Sequence, residues 1–110
     1  MTLPPFELRV VRDDGSAHIA PVGELDIATT PELEQALAHA TADAVAEIVL
    51  DLRELTFMDS TGLRALAQAN AAAEQSGVAL SIIRGPRQID RVLEISGLGA
   101  LLPLVDAPPE

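Results

Sequence analysis

Cysteine, tryptophan, tyrosine and lysine are all missing from this chain, and each absence removes a class of chemistry. Without cysteine there is no disulfide, no thiolate nucleophile and no Cys-ligated metal. Phe6 and Phe57 are the only aromatic residues. The core must therefore be aliphatic, and a platform for stacking unpaired bases, which needs several exposed rings, is not provided. All positive charge is arginine, 7 residues against 17 Asp plus Glu, for a formal net charge of −10. A surface of that sign is repelled by the phosphate backbone of nucleic acid and by an anionic lipid leaflet. No run approaches the ~18 apolar residues of a membrane span. The opening Met1-Thr2-Leu3-Pro4-Pro5-Phe6 has neither the basic start nor the apolar run of a signal peptide, so the expected location is the cytoplasm.

What is present is enough for one domain. The chain has 110 residues, 48% of them hydrophobic. A single domain over residues 1–110 is expected, with an N-terminal tail over 1–5 and a Pro-rich C-terminal tail over 106–110. Phe6, Leu8 and Val10 alternate with polar residues, the period of a half-buried strand. Asp13-Asp14-Gly15-Ser16 is a turn, and Ala17–Val22 returns as a second strand to close a hairpin. Gly23-Glu24-Leu25-Asp26 reads as a loop. A helix is expected from Thr30, with Thr30 as N-cap, Pro31 at the first position, and Leu33, Ala36, Leu37 and Ala40 facing inward. Ile48-Val49-Leu50 reads as a strand buried on both faces. Phe57 and Met58 fall in a turn before a second helix that starts around Ser60, buries Leu63, Leu66, Ala67 and Ala71, and stops at Gly77. Val78–Ile83 is a further strand. Pro86 opens a third helix that buries Ile89, Val92 and Leu93, and Leu101–Val105 is an edge strand, because Pro103 does not fit a central one. Strand–helix–strand units of this length make right-handed crossovers between parallel strands. They bring Gly23–Thr29, Thr56–Ser60 and Arg84–Pro86 to one pole of the domain, where open α/β sheets build their sites.

Ser60 is the most informative residue of that pole. At a helix start its hydroxyl has two readings: an N-cap that accepts a backbone N–H, or a reachable side chain whose modification by phosphate the first helical turn tolerates. An esterase-like nucleophile elbow is a poor fit, since Met58 stands where glycine is needed and both histidines, His18 and His39, precede the serine. Asp26 and Asp59 lie on neighbouring loops. They are read as acidic features for a partner rather than as an acid–base pair or Mg²⁺ ligands; the structural alternative is that Asp59 caps the helix and Asp26 fixes its own turn. Arg84, Arg87 and Arg91 follow at the same pole, to pair with these carboxylates or to form a solvated face.

Gly23-Glu24-Leu25-Asp26, Asp51-Leu52, Phe57-Met58-Asp59-Ser60-Thr61-Gly62-Leu63 and Arg91-Val92-Leu93-Glu94-Ile95-Ser96-Gly97-Leu98 together resemble the STAS domain of bacterial anti-sigma-factor antagonists. The resemblance runs in order through most of the chain. It implies a single STAS-like α/β domain with a mixed sheet of four to five strands and helices mainly on one face. It implies a non-enzymatic protein with no cofactor or metal of its own. The partner it implies is an anti-sigma factor with serine kinase activity, which brings ATP and Mg²⁺; a phosphatase resets the modified form, and neither nucleic acid nor direct membrane insertion is involved. Carried onto this chain, the match makes Ser60 the phosphate acceptor, with Thr61 as a second acceptor. Glu24, Asp26, Met58, Asp59, Ser60, Thr61 and Gly62 become the partner-binding set, in which Gly62 lets the partner backbone approach. The chain departs from the family in ending on Ala107-Pro108-Pro109-Glu110 where another helix is common. The alternative reading is a STAS subunit of a membrane transporter or signalling scaffold whose serine is not phosphorylated; an enzyme using Asp26 and Asp59 is the remaining rival.

Overall fold

Alternating side chains and a two-residue turn start the fold. The computed structural model describes residues 6–109. β1 (Phe6–Asp13) and β2 (Ser16–Leu25) form an antiparallel hairpin paired from Phe6↔Gly23 to Asp13↔Ser16. α1 (Thr30–Ala42), β3 (Glu47–Asp51), β4 (Leu55–Met58), α2 (Ser60–Ser76), β5 (Ala79–Ile83), α3 (Arg87–Ser96), a 3₁₀ turn (Leu98–Ala100) and β6 (Leu104–Val105) follow. The sheet order is β1-β2-β3-β5-β6, with β4 paired to β2. Every pairing after the hairpin is parallel. The expected mixed α/β sheet is therefore present, with six strands rather than four or five.

The extra strand lies where a turn and a loop were expected. Gly23 pairs with Phe6 on one side and with Leu55 on the other, so β4 lies along the same edge of β2 as β3. β3 and β4 are thus one interrupted strand that steps around Leu52-Arg53-Glu54 and resumes. Gly23-Glu24-Leu25 is strand, not loop, because β4 supplies its partner. Pro21 falls in the stretch of β2 that neither β3 nor β4 pairs, so its missing N–H removes no ladder bond on that side.

One core joins the sheet to all three helices. Ala17 and Ile19 of β2, Ile48 and Leu50 of β3 and Ile82 of β5 pack with Leu33, Leu37 and Ala40 of α1, Leu66 of α2, and Ile89 and Leu93 of α3. These strand residues alternate along their strands, so the helices cover one face of the sheet. In α2 the buried positions are Gly62, Ala65, Leu66 and Ala73, with Leu63 and Ala67 half-buried and Ala71 exposed, a stripe rotated from the expected one. In α1 the N-cap is Thr29, not Thr30, and Pro31 sits in the first turn. Thr30 is buried instead, and its hydroxyl oxygen has no partner among the described residues. β6 is an edge strand as expected, tied to β5 by Ile82 N–H to Pro103 O (2.9 Å) and Arg84 N–H to Val105 O (2.9 Å). Residues 1–5 and 110, expected as tail, lie outside the described residues.

On the opposite face of the sheet, Asp51 closes the turn between β3 and β4. Its carboxylate takes Arg53 in a fork, from Nε at 3.0 Å and Nη2 at 2.8 Å, along with Arg53 N–H at 3.1 Å and His18 Nε2 at 3.1 Å. A carboxylate can only accept, so His18 carries its proton on Nε2 here. Burial opposes the charged form and pushes the carboxyl up. The bonds from Arg53 and His18 outweigh it, and the pKa falls from 3.8 to about 2.

Candidate functional site: the pole around Ser60

The start of α2 is built by Asp59. In extended conformation (φ −101°, ψ −171°), Asp59 turns its side chain onto the helix, and Oδ1 accepts Thr61 N–H (2.9 Å) and Gly62 N–H (3.1 Å). Two of the unpaired donors of the first turn are met this way, and the negative end faces the positive end of the dipole. Ser60 is consequently the first helical residue and not the cap. Its side chain is exposed, and its hydroxyl makes no hydrogen bond among the described residues. Of the two readings open to this serine, capping is taken over by its neighbour.

The loop between β2 and α1 forms the second wall. Asp26 Oδ1 accepts Ala28 N–H (2.9 Å) and Thr29 N–H (3.1 Å), and Thr29 Oγ1 accepts Asp26 N–H (2.9 Å) and donates to Glu24 O (2.8 Å). Asp26 thus locks its own turn, and its carboxylate remains partly exposed. The walls meet through Asp59 N–H to Leu25 O (3.2 Å) and through the pairing Glu24↔Phe57. Glu24, Asp26, Asp59, Ser60 and Thr61 are brought together in this way, with Glu24 and Ser60 exposed and the other three partly so. None of the ion pairs among the described residues involves Glu24, Asp26 or Asp59.

Two members of the expected partner-binding set are interior. Met58 is 4% exposed and packs in the core. Gly62 is buried, and a Cβ built there would lie 2.7 Å from Met58 Cγ and 3.1 Å from Leu25 Cδ2. The glycine therefore makes room for Met58 and Leu25 inside the domain, not for a partner backbone. Met58 is turned inward by a β-bulge. Gly23 pairs with Leu55 and Glu24 with Phe57, which leaves Thr56 as one residue too many on β4. The extra residue reverses the alternation, so Met58 turns in and Phe57 turns out. Phe57, half exposed, is the pole residue that the sequence reasoning placed in a turn and passed over.

Arg84 pairs with Asp106 at 3.0 Å (Nε to Oδ1) and not with Glu24, Asp26 or Asp59. Neither Arg87 nor Arg91 makes an ion pair among the described residues. His18 sits seven residues before Leu25 on β2, roughly 23 Å along an extended strand, and is engaged with Asp51. His39 belongs to the last turn of α1. No histidine base is thereby placed at Ser60. A cavity of about 470 Å³ lies between α1 and α2 and is lined by Leu37, Ala38, Ile48, Ala65, Ala69 and Leu80 among others; none of its lining residues belongs to the pole. Among the described residues there is no cluster of three or more metal-ligating side chains, and no helix is long and apolar enough to cross a membrane.

The family described as Mlab, STAS domain, matches residues 8–105. An anti-sigma-B factor antagonist of Staphylococcus aureus is 38% identical over 80 residues, covering 73% of this chain and 74% of the relative. The crystal structure of an anti-sigma factor antagonist from Mycobacterium paratuberculosis superposes with a TM-score of 0.80 at 28% identity, covering 97% of this chain and 92% of the other. The anti-sigma factor antagonist SpoIIAA in its unphosphorylated form gives a TM-score of 0.76 at 24% identity, covering 94% of this chain and 88% of the other, a likeness of fold. The order of strands and helices, the Asp59-capped helix and the match over residues 8–105 agree: this chain belongs to the STAS domain family.

Proposed function

We propose that this protein is an anti-sigma-factor antagonist that docks on an anti-sigma factor with serine kinase activity and is released when that partner phosphorylates Ser60. The observation that carries the reading is the division of labour at the start of α2. Asp59 caps the helix, so the Ser60 hydroxyl stands exposed and is not needed to hold the fold. The names of the relatives, antagonists matched over about three-quarters of both chains at 38% identity, support this function over a transporter-subunit role. The protein supplies the surface and the acceptor; the partner supplies ATP, and a phosphatase restores the free hydroxyl. All of this takes place in the cytoplasm, where sigma factors act.

Electrostatics gives the switch its size. A phosphoserine adds roughly −1.5 to −2 charges at pH 7. It would join Glu24, Asp26 and Asp59, none of which is in an ion pair among the described residues. Docking excludes water from this cluster, and like charges about 6 Å apart, which repel by less than about 1 kcal/mol in water, repel by ~3 kcal/mol at an effective dielectric near 20. That is on the order of a hundredfold in affinity. Within this reading Glu24, Asp26 and Asp59 form the acidic rim, and Thr61, partly exposed, is the second hydroxyl within reach.

The test is to incubate the protein with its kinase and ATP and to map the phosphate by mass spectrometry. Ser60→Ala is expected to abolish labelling and keep binding, and Ser60→Asp to bind about a hundredfold more weakly. Labelling confined to Thr61, or to any residue away from the pole, overturns the assignment.

A further inference from the structure

We infer that Ile27 and Phe57 are the apolar anchors of the docking face, and that the kinase partner meets them with an apolar socket beside the Ser60 hydroxyl. The inference rests on the reading of Ser60 as acceptor at a partner-facing pole, and it adds which side chains hold the partner and what the partner must look like.

Phe57 is exposed by construction. Of the two aromatic residues in the chain, Phe6 is half-buried on β1 and packs against the core, whereas Phe57 is 48% exposed. Uninterrupted alternation from buried Leu55 would have turned Phe57 inward and Met58 outward. The extra residue Thr56 reverses that order at the one place where β4 meets Glu24. A bulge commonly re-aims a side chain beside a functional site. Here the outcome is that the larger, rigid apolar group faces solvent and the flexible one fills the core. Rigid aromatic groups lose little conformational freedom on docking, and they dominate the energetics of interfaces.

Ile27 is exposed in a different way and to the same side of the problem. It is 76% exposed at the tip of the β2–α1 turn. The turn is held from within by the Asp26 carboxylate and the Thr29 hydroxyl, so Ile27 is presented on a fixed support. Fixing a loop beforehand removes part of the entropy cost of binding. Glu24 links the two anchors, paired across the strands with Phe57 and three residues before Ile27. Together with Asp26 and Asp59 it surrounds the apolar pair with carboxylates that lack internal ion pairs among the described residues. The complement of that pattern is an apolar depression whose polar rim donates hydrogen bonds to these carboxylates.

The experiment measures the affinity of the kinase that labels Ser60, with ATP withheld, for single variants of the whole protein. Phe57→Ala is expected to weaken binding about 30-fold and Ile27→Ala about tenfold. Val11→Ala and Ile95→Ala remove equally exposed apolar groups outside the pole, at 64% and 79% exposure, and are expected to stay within about twofold. Ile27→Ser, at a turn tip outside the core, keeps the test valid if Phe57→Ala fails to fold. Unchanged affinity in the Phe57 and Ile27 variants, alongside loss in Ser60→Asp, overturns the anchors and leaves the Ser60 reading standing. Equal losses in the Val11 and Ile95 variants overturn the placement. Failure of any kinase to label Ser60 removes the underlying reading, and the anchors with it.

Discussion

α1 and α2 are neighbours on one face of the sheet, yet they are finished in opposite ways. α2 begins on a side-chain cap, with Asp59 holding two N–H groups, and ends on Gly77 in the left-handed region (φ 71°). α1 begins at Thr29 with no side-chain cap, and its chain leaves through Ala44 at φ 57°, a left-handed conformation on a residue with a Cβ. Each helix has an aspartate shortly before it, and the two do different work. Asp59 serves its helix, while Asp26 serves its own loop. Under the proposed function Ser60 must stay available for phosphorylation, and α2 is the helix whose termini are satisfied without its first residue. The α1 side spends its aspartate on fixing a loop that displays Ile27. Placement of the site and stability of the elements are thus supplied by different side chains, and single substitutions can separate them.

The interior of the α2 start should be the most sensitive point. Gly62→Val would drive a branched side chain against Met58 and Leu25, where even a first Cβ atom would lie 2.7 Å from Met58 Cγ. Overpacking of this kind costs about 2–3 kcal/mol, read as a shift of the urea midpoint. Gly62→Ala should cost less, because alanine regains about 1 kcal/mol of helix propensity. Trimming the neighbour in a Gly62→Val, Met58→Ala double variant should recover part of the loss. No recovery would mean that the glycine is not there for internal packing, and the contrast between interior Gly62 and exterior Ser60 would fail.

Next in size is Asp51, which holds the step between β3 and β4 and so sets where β4, Asp59 and Ser60 begin. Its pKa is 3.8 when unperturbed and about 2 in the fold. A depressed carboxyl stabilises the fold fully above its unfolded pKa and ceases to do so as pH falls through the folded value. The shift corresponds to on the order of 2 kcal/mol at pH 7. Asp51→Asn should therefore be less stable than the wild type by about that amount at neutral pH. The gap should close between pH 3.8 and about 2, since both proteins are then neutral at this position. A gap that persists at the lowest pH would assign the effect to packing and not to charge.

Much of this organisation was legible in the sequence, and the parts that were not share a physical cause. The hairpin, the buried β3, the three helices and the edge position of β6 each carry a periodic or turn signal several residues long. Ser60, Asp59 and Asp26 were legible because a short polar run before an apolar helix pattern marks a helix start. β4 was not, because a four-residue strand whose burial runs in, out, out, in matches neither strict alternation nor a continuous apolar run. One unpaired residue, Thr56, changes which of Phe57 and Met58 faces solvent and leaves no compositional mark. Gly23-Glu24-Leu25 looked like a loop for the same reason, since its strand character depends on a partner 32 residues away in the chain.

Capping should come third. Asp59→Ala removes the side-chain acceptor of Thr61 and Gly62 N–H and should cost about 1 kcal/mol. Asp26→Ala frees a surface turn and should cost less than that, because no helix terminus depends on its side chain. Thermal unfolding of the two variants side by side tests the difference in their work. If Asp26→Ala proves the more destabilising, the loop and not the cap organises the pole.

The smallest effect is also the one whose sign is most informative. α2 and α3 both leave through a glycine in the left-handed region, Gly77 at φ 71° and Gly97 at φ 82°. α1 does the same through Ala44 at φ 57°, where a Cβ crowds the following carbonyl. Ala44 is exposed, so replacing it removes little packing. Two opposed terms then decide the outcome. Glycine relieves about 1 kcal/mol or more of left-handed strain, and it adds conformational freedom to the unfolded chain that costs about 0.4–1 kcal/mol. Strain should win narrowly, and Ala44→Gly should raise the unfolding midpoint by a small amount, up to about 1 kcal/mol. Asp43 N–H and Ala44 N–H already close the helix onto His39 O and Thr41 O at 3.0 Å each, so the variant needs no new hydrogen bonds to benefit. A fall in stability would show that the turn after α1 is held by its surroundings and not by its own residue. The two helices would then differ at their starts alone, where Asp59 caps and Thr29 does not.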